Sequence, residues 1–164
     1  MFNVNDYVVY GMTGVCRITG IGKDEYLGGD ETEYYVLDPV YGENMTIRIP
    51  VNNPHTMLRA IVTKEEVLSL IATMADEGIA FIGDDRERST ALKAALKSGK
   101  TEEWIKIIKT LNHAKKEKSA LGKKLTKTDE DLMNAAEKQL HEEFAIVLDI
   151  SPDEVSAYIL EHIS

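Results

Sequence analysis

The sequence is poor in most things that mark an extracellular, membrane or catalytic protein. Its one cysteine, Cys16, excludes an internal disulfide and fits a reducing compartment. Flanked by Val15 and Arg17 in an apolar run, that thiol reads as a small buried side chain. There is one tryptophan, Trp104, and only four prolines. The longest apolar stretch, VLSLIATMADEGIAFIG, is broken by Asp76 and Glu77 and is too short to span a bilayer. The opening MFNVND has neither a basic segment nor an apolar one, so no export signal is expected and a soluble, cytosolic protein is. Positive charge is in deficit, with 19 Lys and Arg against 28 Asp and Glu, and a net charge of -9 argues against general nucleic-acid binding.

Catalytic patterns are missing too. His55, His113, His141 and His162 lie far apart, and none has a Cys or His partner at metal-ligand spacing. Glu142 and Glu143 follow His141, but consecutive helical positions do not face one site, so no metal or cofactor is expected. Asp84 and Asp85, next to Arg86 and Arg88, read as charges favouring a helix N-terminus. The glycines at 20, 22, 28 and 29 match no phosphate-binding loop, and no serine sits in a nucleophile elbow. The chain is read as a non-enzyme with no small-molecule substrate.

What is present divides in two. DYVVY and GVCRITGI are rich in β-branched and aromatic residues and are split by the turn GMTG. YLGGDE predicts a second turn, and EYYVLDP and NMTIRIP two more strands. Four or five short strands at this spacing predict a small bent sheet or SH3-like barrel over residues 1–52. Pro50 and Pro54 end it, and everything after them has helical period.

Thr63 and Glu66 predict a capping box for a connecting helix over 63–77 that ends near Gly78. A helical domain over 78–164 follows, making an α+β chain with about five helices. A helix over 85–98 is closed by Gly99, and Thr101 caps the next, where Trp104, Ile105, Ile108 and Leu111 fall at core spacing. Thr128 and Asp131 are expected to open a fourth helix, with Leu132, Ala136, Leu140, Phe144 and Val147 as its stripe. Ser151, Pro152 and Glu154 open the last, which carries Val155, Tyr158, Ile159 and Ile163 on one side.

Charge is unevenly spread along the helical part. Residues 93–127 hold eleven lysines against three glutamates, whereas residues 128–164 hold ten acids and one lysine. The segment HAKKEKSALGKKLTKT has two readings: a patch neutralising backbone phosphates, or a solvated face balancing the acidic helices.

FNVNDYVVYGMTGVCRITGI, then YYVL, then TIRIPV, resembles the N-terminal module of the CarD/CdnL family of bacterial transcription regulators. A related module occurs in the transcription-repair coupling factor. Asp6, Val8, Val9, Tyr10, Gly14, Arg48 and Pro50 stand at the family's motif positions. LKSGK, a helix, a loop and LTKTDEDLMNAAEKQL repeat its downstream layout, so the likeness covers nearly the whole chain.

The resemblance implies a Tudor-like module that docks on the β-subunit lobe of RNA polymerase. It also implies a helical domain that reaches promoter DNA at the upstream edge of the opened bubble and alters open-complex stability. Carried over, polymerase contact falls on Arg48, with Thr46, Ile49 and Pro50 on the same strand and Lys23 nearby, or Asp24 in its place. Weak contact with the DNA backbone falls on Arg88, Lys93, Lys97, Lys123, Lys124 and Lys127.

One device of the family is missing. Its wedge tryptophan, at the start of the helix ending in SG, is Asp85 here, and an arginine two residues on is Glu87. A carboxylate at that place meets phosphates of its own sign, so reduced or altered DNA contact is expected. The alternative is a protein-interaction module, or a polymerase-bound competitor, that binds no DNA.

Overall fold

The computed structural model describes residues 2–23, 33–42, 44–52, 58–75, 81 and 83–163. The expected turn at 26–31, Asp24, Pro54 and Gly78 lie outside them. The chain forms two compact units, Met1–Ile61 and Val62–Ser164.

The first unit is an antiparallel sheet of β1 (Tyr7–Tyr10), β2 (Gly14–Lys23), β3 (Glu33–Pro39), β4 (Ile47–Pro50) and β5 (Leu58–Ala60). Their order in the sheet is β4-β3-β2-β1-β5. The β1–β2 turn needs left-handed backbone at Gly11 and Gly14, with φ of 45° and 93°, which glycine adopts without steric cost. Asp6 of the motif holds the turn before β1, its carboxylate accepting the Asn3 N–H at 2.8 Å. A register shift between Ile18 and Gly20 bends the long β2 strand.

Val8, Cys16, Ile18, Tyr35, Leu37 and Ile49 then meet in one core. Cys16 is fully buried there, and burial, assisted by the charge of Asp38, pushes its thiol pKa up to about 11. The Tyr35 hydroxyl accepts the Phe2 N–H at 3.0 Å, so the N-terminal segment is tied onto the sheet.

The expectation of helix throughout residues after Pro54 fails at one place. Leu58–Ala60 is a strand, pairing Val9 with Arg59 beside β1. Three residues are too few for a periodic signal, and the strand exists because β1 offers it an edge.

The second unit holds α1 (Lys64–Thr73), α2 (Asp85–Lys97), α3 (Thr101–Ala120), α4 (Lys127–Leu148) and α5 (Pro152–His162). Helix α1 packs on α4 and α5, and so belongs to the helical unit. Both capping boxes form, Thr63 with Glu66 and Ser151 with Glu154. Trp104, Leu111, Leu140 and Phe144 are buried at the centre, as their spacing predicts. Val147 is only half-buried at the end of that stripe.

Two helix starts differ from expectation. Lys100, not Thr101, is the N-cap of α3, because the Thr101 hydroxyl is taken by the buried Glu143 carboxylate at 2.6 Å. Thr126, not Thr128, caps α4, its hydroxyl accepting the Asp129 N–H at 3.2 Å. That earlier start carries Asp129 inward, where it is fully buried. Among the described residues no helix is long and apolar enough to cross a membrane.

Candidate protein and nucleic-acid interfaces

The first candidate surface is the outer edge of β4, which among the described residues pairs only with β3. Tyr35 opposes Ile49 and Val36 opposes Arg48. The Val51 N–H donates to the Glu33 carbonyl at 2.9 Å, which makes that opposed pair a hydrogen-bonded one. Alternation along an antiparallel ladder then turns the main-chain groups of Ile47 and Ile49 towards β3. Those of Arg48 and Pro50 face outwards. Pro50 has no N–H and so donates nothing along this edge.

Arg48 is exposed and projects from the face opposite Ile49, which is 5% exposed and lies in the core. Ile49 therefore leaves the expected contact set: its side chain is inside and its main chain serves β3. Thr46 is exposed, its hydroxyl donating to Asp38 Oδ1 at 3.3 Å. Lys23 is exposed at the end of β2 that also carries Pro50 on β4. It follows Ile21 by two residues and so points to the core side of the sheet, opposite to Arg48. The structure thus gathers Thr46, Arg48 and Pro50 on one edge and sets Lys23 two strands away.

The second candidate surface lies in the helical unit, where the expected cations separate into three groups. Arg88 is internal. Its guanidinium donates to Asp129 Oδ2 at 2.6 Å and lies 3.0 Å from Asp85 Oδ1. Burial works against that charge, but Asp129 and then Asp85 hold its pKa above the ordinary value. Ser89 completes the cluster, donating to Asp129 Oδ1 at 2.9 Å. With its side chain 9% exposed, Arg88 is a bolt between α2 and α4 and leaves the exposed basic set.

Lys118 Nζ, at the end of α3, donates to Asp85 Oδ2 at 2.9 Å, at the start of α2. The two helices therefore run antiparallel. Lys93 and Lys97, both exposed, lie towards the far end of α2. At 1.5 Å per residue, Lys97 stands about 18 Å from Asp85 along the axis. Lys123, Lys124 and Lys127 instead lie by the α3–α4 loop, beside the Asp85 end, and all three are exposed.

The Lys123 N–H donates to the Lys118 carbonyl at 2.7 Å, and Gly122 supplies the left-handed turn with φ 72°. Lys127 faces Asp131 at 3.2 Å across an exposed turn of α4. Between α3 and α4, Lys115, Lys123, Lys124, Glu130, Asn134 and Glu137 line a groove of about 640 Å³.

Sequence reasoning missed Asp129 and Glu143, which among the described residues are fully buried carboxylates that lock the helices. Their partners stand about forty residues or more away, beyond any local pattern. Helical phase did offer one signal, since both fall on the apolar stripe of α4 with Leu132, Ala136 and Leu140.

Two family models match the chain. The CarD-like/TRCF RID domain covers residues 2–62, and the CarD C-terminal domain covers residues 69–160. No curated protein matches it. The bent five-stranded sheet is the Tudor-like module that the first match implies, and the helices after it complete the α+β fold. Members of this family are generally non-catalytic transcription factors. On these two domains, which between them account for both compact units, the chain belongs to the CarD family as a transcription-associated regulator that interacts with RNA polymerase.

Proposed function

We propose that the first unit docks on the β-subunit lobe of RNA polymerase by strand addition along β4. The observation that carries this reading is the position of β4 at the end of the sheet, where among the described residues it pairs only with β3 and exposes the Arg48 side chain. Main-chain bonds from a partner strand supply affinity there, and the Arg48 side chain supplies register and charge selection. Bound in this way in the cytoplasm, the protein changes the lifetime of the promoter open complex.

DNA contact belongs to the lysines of the α3–α4 loop, at the Asp85 end of the helical unit. They hold backbone phosphates without reading sequence. Each contact is weak alone, and docking on polymerase raises the local concentration of the second site.

The test is titration of labelled protein with the isolated β-subunit lobe of its own polymerase, with Arg48→Glu as control. Micromolar or tighter binding, lost in the variant at unchanged circular dichroism, supports the reading. Binding that persists in Arg48→Glu places the contact elsewhere.

A second reading is favoured by the Asp85 cluster: a polymerase-bound module that makes no DNA contact. Asp85 stands where relatives carry a wedge, and here it is held by Lys118 and Arg88. The double variant Asp85→Trp, Glu87→Arg separates the two. Gained DNA contact in the polymerase–promoter complex would mean that the scaffold still presents that place to the duplex.

A further inference from the structure

Two lysines beside the α3–α4 loop have acidic partners, Lys118 with Asp85 and Lys127 with Asp131. Lys115, Lys123 and Lys124 form no ion pair among the described residues, and neither do Glu130 and Glu137. All five line the groove of about 640 Å³ between α3 and α4. Charges of both signs thus face one concave place without meeting each other.

Helical phase explains how the groove is lined. Lys115 and Ser119 stand at i and i+4 on α3 and share one face. Glu130, Asn134 and Glu137 stand at i, i+4 and i+7 on α4, again on one face. The loop 121–126 closes one end, where Gly122 makes its left-handed turn and Lys123 and Lys124 follow. Leu125 and Met133 are half-buried and supply an apolar floor. Glu137 lies about 10 Å further along α4 than Glu130.

We propose that this groove binds a free ribonucleoside diphosphate. Lysine ammonium groups are point charges that meet phosphate oxygens without demanding a fixed geometry. Two lysines at the closed end and a third on α3 suit two phosphates better than one. A bare phosphate would bring only repulsion to Glu130 and Glu137, whereas ribose hydroxyls and base amino groups donate to carboxylates. The Asn134 amide both donates and accepts, which suits a base edge, and the Leu125–Met133 floor suits the face of the base. The volume lies within the range of small-molecule sites, about 300–1,000 Å³.

The inference goes beyond polymerase docking. It shares Lys123 and Lys124 with the DNA reading, so nucleotide and duplex compete for the same charges. DNA contact then answers to the nucleotide concentration.

The experiment is calorimetric titration of the full chain with ribonucleoside diphosphates, their 2′-deoxy forms and pyrophosphate. Lys115→Glu, Lys124→Glu and the pair Glu130→Gln, Glu137→Gln are compared with the wild type. Lys93→Glu makes the same charge change as Lys115→Glu outside the groove. Circular dichroism and thermal unfolding check that each variant folds. At least one ribonucleoside diphosphate should bind about tenfold or more tightly than its deoxy form and than pyrophosphate. Lys115→Glu and Lys124→Glu should each weaken it about tenfold, and Lys93→Glu should change it little. The glutamine pair should narrow the preference for ribose, which a purely structural role would not move.

Pyrophosphate binding as tightly as every nucleotide overturns the proposal, because the lysines then hold any polyanion. Equal weakening by Lys115→Glu and Lys93→Glu also overturns it, since net charge is then the whole effect. So does equal affinity for ribose and deoxyribose forms, or no binding of any diphosphate. Nucleotide binding in a chain that fails to bind duplex DNA supports the groove and removes the DNA reading.

Discussion

Lys118 Nζ lies 2.9 Å from Asp85 Oδ2, and this contact closes the open end of the α2–α3 hairpin. The hydrogen bond from Lys118, then the charges of Arg88 and Lys118, hold the Asp85 carboxyl below its ordinary value. Beneath it, Arg88 and Asp129 form a second pair away from water. The start of α2 is therefore a fastening between α2, α3 and α4.

The two layers of that fastening differ in strength. Arg88→Ala strands the Asp129 carboxylate in the interior and should cost about 3–5 kcal/mol. Asp85→Asn touches a side chain 52% exposed and screened by water, and should cost about 1 kcal/mol or less. Urea unfolding of both variants at neutral pH checks the ratio. Equal losses would mean that the outer pair carries the seam.

Glu143 has a different duty. Its carboxylate accepts the Val62 N–H at 2.9 Å and the Thr101 hydroxyl at 2.6 Å, joining α4 to the entries of α1 and α3. Glu143→Ala leaves two buried donors without that acceptor and should cost about 3 kcal/mol or more. Thr101→Val removes one donor and should cost about 1 kcal/mol. Hydrogen exchange at the Val62 amide should quicken in the first variant and change little in the second.

Burial raises the Glu142 carboxyl above its ordinary value, and Lys138 opposes this only in part. A raised carboxylate pKa in the folded state contributes stability below the unfolded value, lost as pH rises through the folded one. At neutral pH the charge is therefore a burden. Glu142→Gln should raise the melting temperature at pH 7, and the gain should vanish below about pH 4, where the wild-type group is protonated in both states. His141 beside it is lowered by burial, so its contribution falls away as pH drops below its ordinary range. Comparing wild type and variant at each pH cancels that shared term.

Local chemistry explains which features were legible beforehand. The strands β1 to β4, the two capping boxes and the core of Trp104, Leu111 and Phe144 each follow from neighbours a few residues apart. Three features escaped because their cause is distant in sequence. Leu58–Ala60 is a strand only because β1 lies beside it. Thr101 yields the cap of α3 to Lys100 because Glu143 captures its hydroxyl. Arg88 reads as a surface cation until Asp129, on α4, is brought beneath it. On the edge strand, the pattern Arg-Ile-Pro gave the alternation, but only the ladder told which main-chain groups face outwards.

The lysines of the α3–α4 loop give the last prediction. Lys123 and Lys124 stand by the Asp85 end of α2, whereas Lys93 and Lys97 lie towards its other end. If phosphates are held at the loop, Lys123→Glu with Lys124→Glu should weaken binding of mixed-sequence duplex DNA at low salt, and equally for every sequence. The slope of log affinity against log salt should shrink by about two, because each phosphate contact contributes about 0.9. Lys93→Glu with Lys97→Glu adds the same negative charge to the chain but leaves the loop intact. Its slope should stay near that of the wild type. Equal loss in both pairs would mean that only net charge matters and that no DNA surface is localised at the loop. An unchanged slope in both, or no wild-type binding at low salt, would give the helical unit to a protein partner.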